Sequence, residues 1–267
     1  MNTASLTAGW PGHPSFMVAR ATTDSYEPLL RYGELSEVRS WASVSKLVAG
    51  LGVVRSIDQG QHFLDDAAGP EGSTLAHLLS HASGLGFEAG DRVVPVGTRR
   101  VYSNLGIDLA VAAVTNDPPT YLGESVLTAL NLGCSWRNPR PSHGLAGSVL
   151  DLATLAQEFL VPTLLTPAMH RTMLTPFLGE LDGITPPFGR QTPNWWGLGP
   201  ELKGSKEHWM GHWPSASFGH FGQSGALLLC DPTTMIFVVA TSSEPFGKWA
   251  VDLWPRWVDL VRAEVLA

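Results

Sequence analysis

Residues 43–57 read SVSKLVAGLGVVRSI, and this stretch decides the fold. The run is almost entirely apolar and is too long for an ordinary strand, so it predicts a helix that begins at Ser43. We expect the helix to end near Gln59 and Gly60, because glycine suits the residue that follows a helix. Its polar residues are too few to form a solvent-facing stripe, so the helix should be covered on most sides.

The first turn of this helix carries Ser43 and Lys46, which are three residues apart and therefore lie on one helical face. A serine hydroxyl becomes a strong nucleophile only when a neighbouring group takes its proton, and an amine in an apolar wall can have its pKa lowered enough to do so. Backbone N–H groups at a helix start can also hold an oxyanion. The structural alternative is that Ser43 caps the helix and Lys46 lies along the surface.

Short strands are predicted near both ends of the chain. Residues 16–21 and the region around Leu29 to Tyr32 form the first pair of candidates. Residues 224–230 (SGALLLC) and 235–243 (MIFVVATSS) are joined by a short turn, which predicts an antiparallel hairpin. The last segment repeats apolar residues at helical spacing and should pack a helix onto the sheet.

The middle of the chain is mostly helical. Between about Leu64 and Thr166, short helical patterns alternate with glycine and proline, and strand signals are scarce. The order strands, helices, strands, helix predicts an α+β fold in which an antiparallel sheet is flanked by helices. We expect residues 1–62 and 205–267 to form a discontinuous α/β domain, residues 63–204 to form a mostly helical insert, and the active site to lie at their junction.

Composition excludes several function classes. The 267 residues are 44% hydrophobic and only 15% charged, which is typical of a compact globular protein. With 17 Lys and Arg against 24 Asp and Glu, the net charge of −7 disfavours nucleic-acid binding. No apolar run is long enough to span a membrane, and the start of the chain does not resemble a secretory signal, so a cytoplasmic protein is expected. Cys134 and Cys230 are too few for a disulfide framework and are interpreted as core residues.

Three further segments follow the Ser43 stretch in a definite order: residues 78–85 (LLSHASGL), Tyr102-Ser103-Asn104 and His220-Phe221-Gly222. Together with residues 42–46 (ASVSK), they resemble the motifs of the serine β-lactamase and penicillin-binding-protein superfamily. The similarity is to class C β-lactamases, DD-carboxypeptidases and related esterases in particular, and it runs from about residue 38 to residue 243. Its implied fold is the β-lactamase/transpeptidase-like sheet with a helical insert.

The resemblance implies a role for each matched residue. Ser43 would attack an acyl carbonyl while Lys46 and Tyr102 share the proton transfers, and which of the two takes the first proton stays open. Asn104 would hold the Lys46 head group and a substrate amide or carbonyl. The backbone N–H groups of Ser43 and Gln223 would form the oxyanion hole. No metal or organic cofactor is expected.

The segment His220-Phe221-Gly222 departs from the superfamily pattern. The related β-lactamases and peptidases carry a cation and a hydroxyl at the first two positions and bind the substrate carboxylate with them. A mostly neutral imidazole and an apolar ring should weaken that recognition. We therefore expect a serine hydrolase acting on small esters or amides, with ester cleavage favoured. A true β-lactamase or DD-peptidase is one alternative, and a non-catalytic module that binds acyl or peptide ligands is another. No oligomeric state is predicted.

Some single motifs could also indicate another hydrolase class, a zinc site or an apolar pocket. No serine has the G-x-S-x-G surround of an α/β-hydrolase, which leaves Ser43 as the best nucleophile. His77 and His81, and likewise His208 and His212, have a spacing that can bind zinc on a helix, but neither pair has the accompanying glutamate of the H-E-x-x-H motif. The tryptophans before His220 either line an apolar acyl pocket or belong to the core: Trp195, Trp196, Trp209 and Trp213.

Overall fold

A computed structural model describes residues 6–91 and 93–267. The strands are, in chain order, β1 Ser15–Ala21, β2 Tyr26–Tyr32, β3 Arg39–Ser40, β4 Arg100–Val101, β5 Ser135–Trp136, β6 Leu145–Gly147, β7 Gly183–Ile184, β8 Arg190–Gln191, β9 Glu201–Leu202, β10 Phe218–Phe221, β11 Leu227–Asp231 and β12 Ile236–Thr241. The helices are α1 Ser45–Asp58, α2 Leu75–Leu79, α3 Asn104–Ala112, α4 Pro118–Leu122, α5 Val149–Leu160, α6 Pro167–Met173 and α7 Lys248–Leu266. A short 3-10 turn, Ala42–Val44, precedes α1, and a π-helical segment, Gly123–Thr128, follows α4.

The central sheet is antiparallel and has six strands in the order β2-β1-β12-β11-β10-β9. Its strands come from the two ends of the chain, which confirms the α+β fold and the predicted hairpin of β11 and β12. Two small sheets, β3-β6-β5 and β4-β7-β8, lie outside it. The division of the chain into a discontinuous domain and an insert stays a prediction.

The central sheet is buried on both faces. Along β1, Met17 and Ala19 point into a core shared with α1 and α5, whereas Phe16 and Val18 point into a second core shared with α7. This alternation follows from the two-residue period of a strand, and it explains why the inner strands β1, β11 and β12 are mostly apolar, whereas the edge strand β2 is partly exposed. The predicted C-terminal helix is thereby confirmed as α7, which packs Trp254 and other apolar residues against the sheet.

Helix α1 is buried along almost its whole length, as the run of apolar residues predicted. Two glycines let neighbouring segments approach it closely. A Cβ atom on Gly50 would lie 2.9 Å from the Leu198 carbonyl oxygen, and one on Gly52 would lie 2.4 Å from Leu122 Cδ2. The close packing accounts for two residues that are otherwise unfavourable inside a helix.

The start of α1 differs from the prediction, because the α-helix begins at Ser45 and Ser43 lies in the preceding 3-10 turn. Ala42 has φ 44°, a left-handed conformation that turns the chain sharply just before Ser43. Neither the 3-10 turn nor α1 has a side-chain cap, so the interpretation of Ser43 as a helix cap is wrong.

Within the described residues, none of the helices is both long enough and apolar enough to span a membrane. Both cysteines are free thiols; Cys230 is buried and Cys134 is partly buried against the core.

Candidate active site

Ser43 and Lys46 meet at the start of α1. Lys46 Nζ lies 3.1 Å from Ser43 Oγ, so the amine and the hydroxyl share a hydrogen bond. Lys46 is fully buried, and the interpretation of this residue as a surface lysine is therefore wrong. The spacing of three residues brings the two groups together, while the apolar surroundings of α1 keep water away from the amine.

Two further acceptors surround the Lys46 amine. Nζ lies 2.6 Å from Asn104 Oδ1 and 2.9 Å from the Ser142 carbonyl oxygen. The Asn104 amide is oriented by its Nδ2, which donates to Glu88 Oε1 at 2.8 Å. An ammonium has three protons and would use all of them here. A neutral amine would donate its two protons to Asn104 and Ser142 and would point its lone pair at Ser43.

Burial lowers the pKa of Lys46 to about 7. The carboxylates of Asp108 and Glu88 oppose this effect by stabilising the charged form, and the Arg140 guanidinium adds to it. Arg140 joins both acids, with 2.7 Å to Glu88 Oε2 and 2.7 Å to Asp108 Oδ2. The amine is thus close to evenly divided between its charged and neutral forms near neutral pH.

Tyr102 lies on the other side of Ser43. Burial raises the pKa of Tyr102 well above its usual range, although a hydrogen bond with Ser43 partly opposes this. The phenol oxygen lies 3.5 Å from His220 Nε2, and Lys46 Nζ lies 4.9 Å from the ring centroid. Tyr102 is therefore a protonated phenol at neutral pH and a hydrogen-bond donor to groups in the site.

Strand β10 brings His220 to the site. His220 Nδ1 lies 2.7 Å from the Phe221 carbonyl oxygen, which can only accept, so in the neutral ring Nδ1 carries the proton and Nε2 faces Tyr102 as an acceptor. Burial, together with the nearby Lys46, lowers the pKa of His220 to about 3. The imidazole is accordingly neutral.

Gly222 allows the end of β10 to approach the 3-10 turn. A Cβ atom there would lie 2.2 Å from the Trp41 carbonyl oxygen and 3.2 Å from the Ser43 backbone nitrogen. Gln223, the next residue, lines the same cavity as Ser43. The structure thus brings together Ser43, Lys46, Tyr102, Asn104, His220, Gly222 and Gln223. The backbone N–H groups of Ser43 and Gln223 stay predicted as the oxyanion hole.

Phe221 lies at the boundary between core and cavity. Its ring packs against Phe246 at 4.9 Å and Trp209 at 5.5 Å between ring centroids, and it also lines the cavity beside Ser43. An apolar ring at this point provides no hydrogen-bond donor for a substrate carboxylate.

The tryptophans divide between cavity and core. Trp196 lines the cavity and packs against His81, Tyr102 and His220, with centroids 4.5, 5.7 and 5.6 Å away. Trp209 and Trp213 belong to the core beneath α7, and Trp195 packs partly buried against the other core. One of the four therefore contributes to the site.

A buried charged cluster lies behind Trp196, and the sequence did not indicate it. Glu201 Oε1 accepts from Lys206 Nζ at 2.8 Å and lies 3.3 Å from His208 Nε2, and Oε2 accepts from Trp209 Nε1 at 2.8 Å. Burial alone would raise the pKa of Glu201, but Lys206 and His208 hold it well below its usual range. The available signal in the sequence was Glu201 itself, a single charged residue in the apolar stretch LGPEL, residues 198–202.

The histidine pairs serve other purposes. His77 Nδ1 bonds Thr74 Oγ1 at 2.8 Å, and His212 Nδ1 lies 2.6 Å from Asp259 Oδ2 at the surface. In the part of the chain that the structure describes, no three His, Cys, Asp or Glu residues are grouped so that they could hold a metal ion.

A cavity of about 1080 Å³ opens from Ser43 on the Tyr102 side. Most of its wall is apolar, and the lining includes Phe87, Val94, Val101, Ile184, Pro186 and Trp196. Polar and charged residues also line it, among them Arg99, Asp182, Arg190 and Glu201. A mostly apolar cavity of this volume is typical of a pocket for an organic small molecule.

Comparison with known proteins places this site in context. The sequence model of the family described as Beta-lactamase matches residues 36–262. The crystal structure of a beta-lactamase from Mycobacterium bovis is 34% identical, with a TM-score of 0.92 and full coverage of both chains. No curated protein matches the sequence significantly.

More distant structures share the fold alone. Unliganded simvastatin synthase from Aspergillus terreus is 15% identical with a TM-score of 0.74, over 98% of this chain and 96% of that one. EstCE1, a hydrolase with promiscuous acyltransferase activity, is 16% identical with a TM-score of 0.76, over 96% of each chain. The motif order, the contact of Ser43 with the buried Lys46 and the family match lead to one assignment: the chain belongs to the β-lactamase family.

Proposed function

We propose that the protein is a serine hydrolase that cleaves small esters, and less readily amides, through an acyl-enzyme on Ser43. The observation that carries the proposal is the buried Lys46 amine, which lies 3.1 Å from Ser43 Oγ and has its pKa lowered to about 7. A general base is most effective when its pKa is close to the working pH, because both forms are then accessible.

In acylation, Ser43 Oγ forms a bond to the substrate carbonyl carbon and its proton passes to neutral Lys46. The oxyanion is held by the backbone N–H groups of Ser43 and Gln223. When the bond from carbonyl carbon to leaving oxygen breaks, the leaving oxygen takes the Tyr102 proton. The raised pKa of Tyr102 fits this role, since a phenol that stays protonated is still more acidic than an alkyl alcohol.

In deacylation, water attacks the acyl carbon and gives its proton to the Tyr102 phenolate. Ser43 Oγ leaves the carbonyl carbon and takes a proton from the Lys46 ammonium. Lys46 returns to the neutral amine and Tyr102 to the phenol, so one ester and one water yield one acid and one alcohol. Both residues end each cycle in their starting forms.

Esters are favoured because the site offers little for a substrate carboxylate. His220 is neutral and Phe221 presents a ring where relatives in the superfamily carry a cation and a hydroxyl. An ester also has a better leaving group than an amide, so it needs less help from Tyr102. EstCE1, which shares the fold, is a hydrolase with promiscuous acyltransferase activity, and this is consistent with acyl transfer through Ser43.

A mass-spectrometric trapping experiment tests the proposal. The protein is incubated with p-nitrophenyl butyrate and separately with a chromogenic cephalosporin, and Ser43 is examined for a covalent adduct. We expect turnover of the ester with a transient adduct on Ser43, and loss of both in Ser43→Ala. Ser25→Ala, at an exposed position, is the matched control and should keep full activity.

The second candidate function is β-lactam hydrolysis, and the full-length likeness to the beta-lactamase from Mycobacterium bovis favours it. Faster turnover of the cephalosporin than of the ester would establish this alternative. An adduct without turnover would indicate a penicillin-binding type of protein. No adduct with either compound would contradict both candidates and support a module that only binds acyl ligands.

A further inference from the structure

The cavity beside Ser43 opens next to Tyr102 and not next to the Lys46 amine. Tyr102, His220 and Phe87 line it, whereas Lys46, Asn104 and Glu88 do not. The consecutive residues Phe87 and Glu88 serve different sides: the Phe87 ring stacks on Tyr102 at 6.0 Å, and the Glu88 carboxylate bonds Asn104. The open space therefore lies at the Tyr102 side of Ser43, whereas Lys46 and Asn104 are buried.

The two sides receive different parts of an ester. In the tetrahedral intermediate the carbonyl carbon carries the serine oxygen, the oxyanion, the acyl carbon and the leaving oxygen. With the oxyanion against the Ser43 and Gln223 backbone, the acyl chain and the leaving group diverge from the carbon in different directions, so only one of them enters the cavity. The leaving oxygen has to lie beside its proton donor, and Tyr102 faces the cavity.

The size and surface of the cavity indicate what kind of leaving group it accepts. Its volume of about 1080 Å³ is at the upper end for small-molecule sites. Phe87 and Ile184 line it although 48% and 59% of their surfaces stay exposed. Apolar side chains that stay exposed at a cavity mouth are typical of a site that binds an apolar ligand.

The Lys46 side offers little room for a long alkyl chain, because Lys46 and Asn104 are 0% and 5% exposed. Charge alone does not separate the two sides, since the cavity wall also carries an ion pair, Asp182 with Arg190. Beyond Asn104 lies the ion pair of Glu88 and Arg140, whose side chains are about one-third exposed, at 36% and 39%. An alkyl chain placed there would have to displace water from charged groups without offering them hydrogen bonds.

From this division we infer that the enzyme is specific for esters that join a short acyl group to a bulky apolar alcohol, with the alcohol seated in the cavity. The inference rests on the proposed function and adds the substrate class and its orientation. Ile184 is then a specificity-determining residue, since it lines the cavity on the small strand β7 and lies apart from Ser43, Lys46 and Tyr102 in sequence.

A pair of isomeric esters tests the orientation. 2-(2-Naphthyl)ethyl acetate and methyl 3-(2-naphthyl)propanoate have the same composition and the same ring, but the ester is reversed. We expect kcat/KM for the acetate to exceed that for the methyl ester by at least about tenfold, because only the acetate places the ring in the cavity. Product release is followed chromatographically with the wild-type protein.

Two matched variants test whether the cavity causes the difference in kcat/KM between the two esters. Ile184→Trp narrows the cavity and should reduce the ratio of the two kcat/KM values several-fold. Leu150→Trp makes a similar change at an exposed position of α5 that does not line the cavity, and the ratio should stay as in the wild type. Thermal unfolding followed by circular dichroism verifies that both variants fold.

The outcomes separate the two proposals. Equal rates for the isomers, or faster cleavage of the methyl ester, would overturn the inferred orientation while the serine hydrolase survives. A ratio that Ile184→Trp leaves unchanged would overturn the role of the cavity. If neither ester nor p-nitrophenyl butyrate is cleaved in a Ser43-dependent manner, the proposed function itself fails and the inference fails with it.

Discussion

The two sides of Ser43 bury ionisable groups to a similar degree, but the pKa values that result differ widely. Lys46 and His220 are both fully or almost fully buried, and burial lowers the pKa of each. Lys46 stays at about 7, because Asp108 and Glu88 stabilise its charged form. His220 falls to about 3, because the Lys46 charge adds to the effect of burial. Burial alone does not produce a base; the neighbouring charges decide whether the proton can still be exchanged at neutral pH.

The largest effect is expected on the Lys46 side. Lys46→Met keeps the length and apolar stem of the side chain but removes the base. We expect kcat/KM for an ester to fall by about 10³-fold to 10⁴-fold, in line with the loss of a general base. Lys248→Met, at an exposed lysine on α7, is the control and should retain activity. A Lys46→Met variant with near-normal acylation of Ser43 would show that the base lies elsewhere.

Removal of the Tyr102 hydroxyl tests the role of the phenol as a proton donor. Tyr102→Phe keeps the ring packed against Trp196 and removes only the proton donor, so kcat should fall by about 10²-fold for an alkyl ester. The loss should be smaller for a p-nitrophenyl ester, whose leaving group needs no proton. The rise of kcat/KM with pH should stay near 7 in this variant, because it reports the deprotonation of Lys46. A rise that disappears in Tyr102→Phe would assign the titration to the phenol instead.

The smallest effect is expected at Glu88, which stabilises the charged form of Lys46. In the wild type, kcat/KM should rise with pH through about 7, since only neutral Lys46 accepts the serine proton. Glu88→Gln removes a carboxylate that favours the charged amine, so the Lys46 pKa falls and the rise moves to lower pH. The shift of the profile should be small, because the Glu88 side chain is partly exposed and solvent screens it. The change in kcat/KM has to be read below pH 7, since at pH 8 an amine with a pKa of about 7 is already about nine-tenths neutral.

Glu27→Gln, an exposed change on β2, is the matched control for that profile. A shift of the Glu88→Gln profile to higher pH would contradict the assigned sign of the interaction. An unchanged profile would mean that Asp108 alone sustains the Lys46 pKa.

Much of the site was predictable because it depends on local spacing or on residue type. The pairing of Ser43 with Lys46 follows from the helical repeat, and the hairpin of β11 and β12 follows from two apolar runs and a short turn. The motif order identified Tyr102, Asn104 and His220 as partners by resemblance. The buried position of Lys46 followed from the apolar run around it.

Other parts had no signal in the sequence. The Ser142 carbonyl that bonds Lys46 is a backbone atom 96 residues away, and any residue type could supply it. The electrostatic effect of Glu88 and Asp108 on the Lys46 amine depends on where the two carboxylates lie, and Arg140 holds both of them by ion pairs. Trp196 differs from Trp209 only in which segments pack around it, so spacing could not separate a cavity wall from the core.

By itself the sequence determined the long helices, the strands near the two ends of the chain, the family and the chemical groups available to the reaction, since these depend on residue identity and on neighbours a few positions away. The two-residue and three-residue strands β4 to β9 depend on pairing with distant segments, and the sequence did not indicate them. Only the tertiary structure decided the pKa of Lys46, the neutral form of His220 and the side of Ser43 on which the cavity opens. Those properties depend on the distances between residues that are far apart in the chain, because such distances set both the electrostatic energy and the shape of the cavity. The path of the backbone therefore had to be known before the chemistry could be placed.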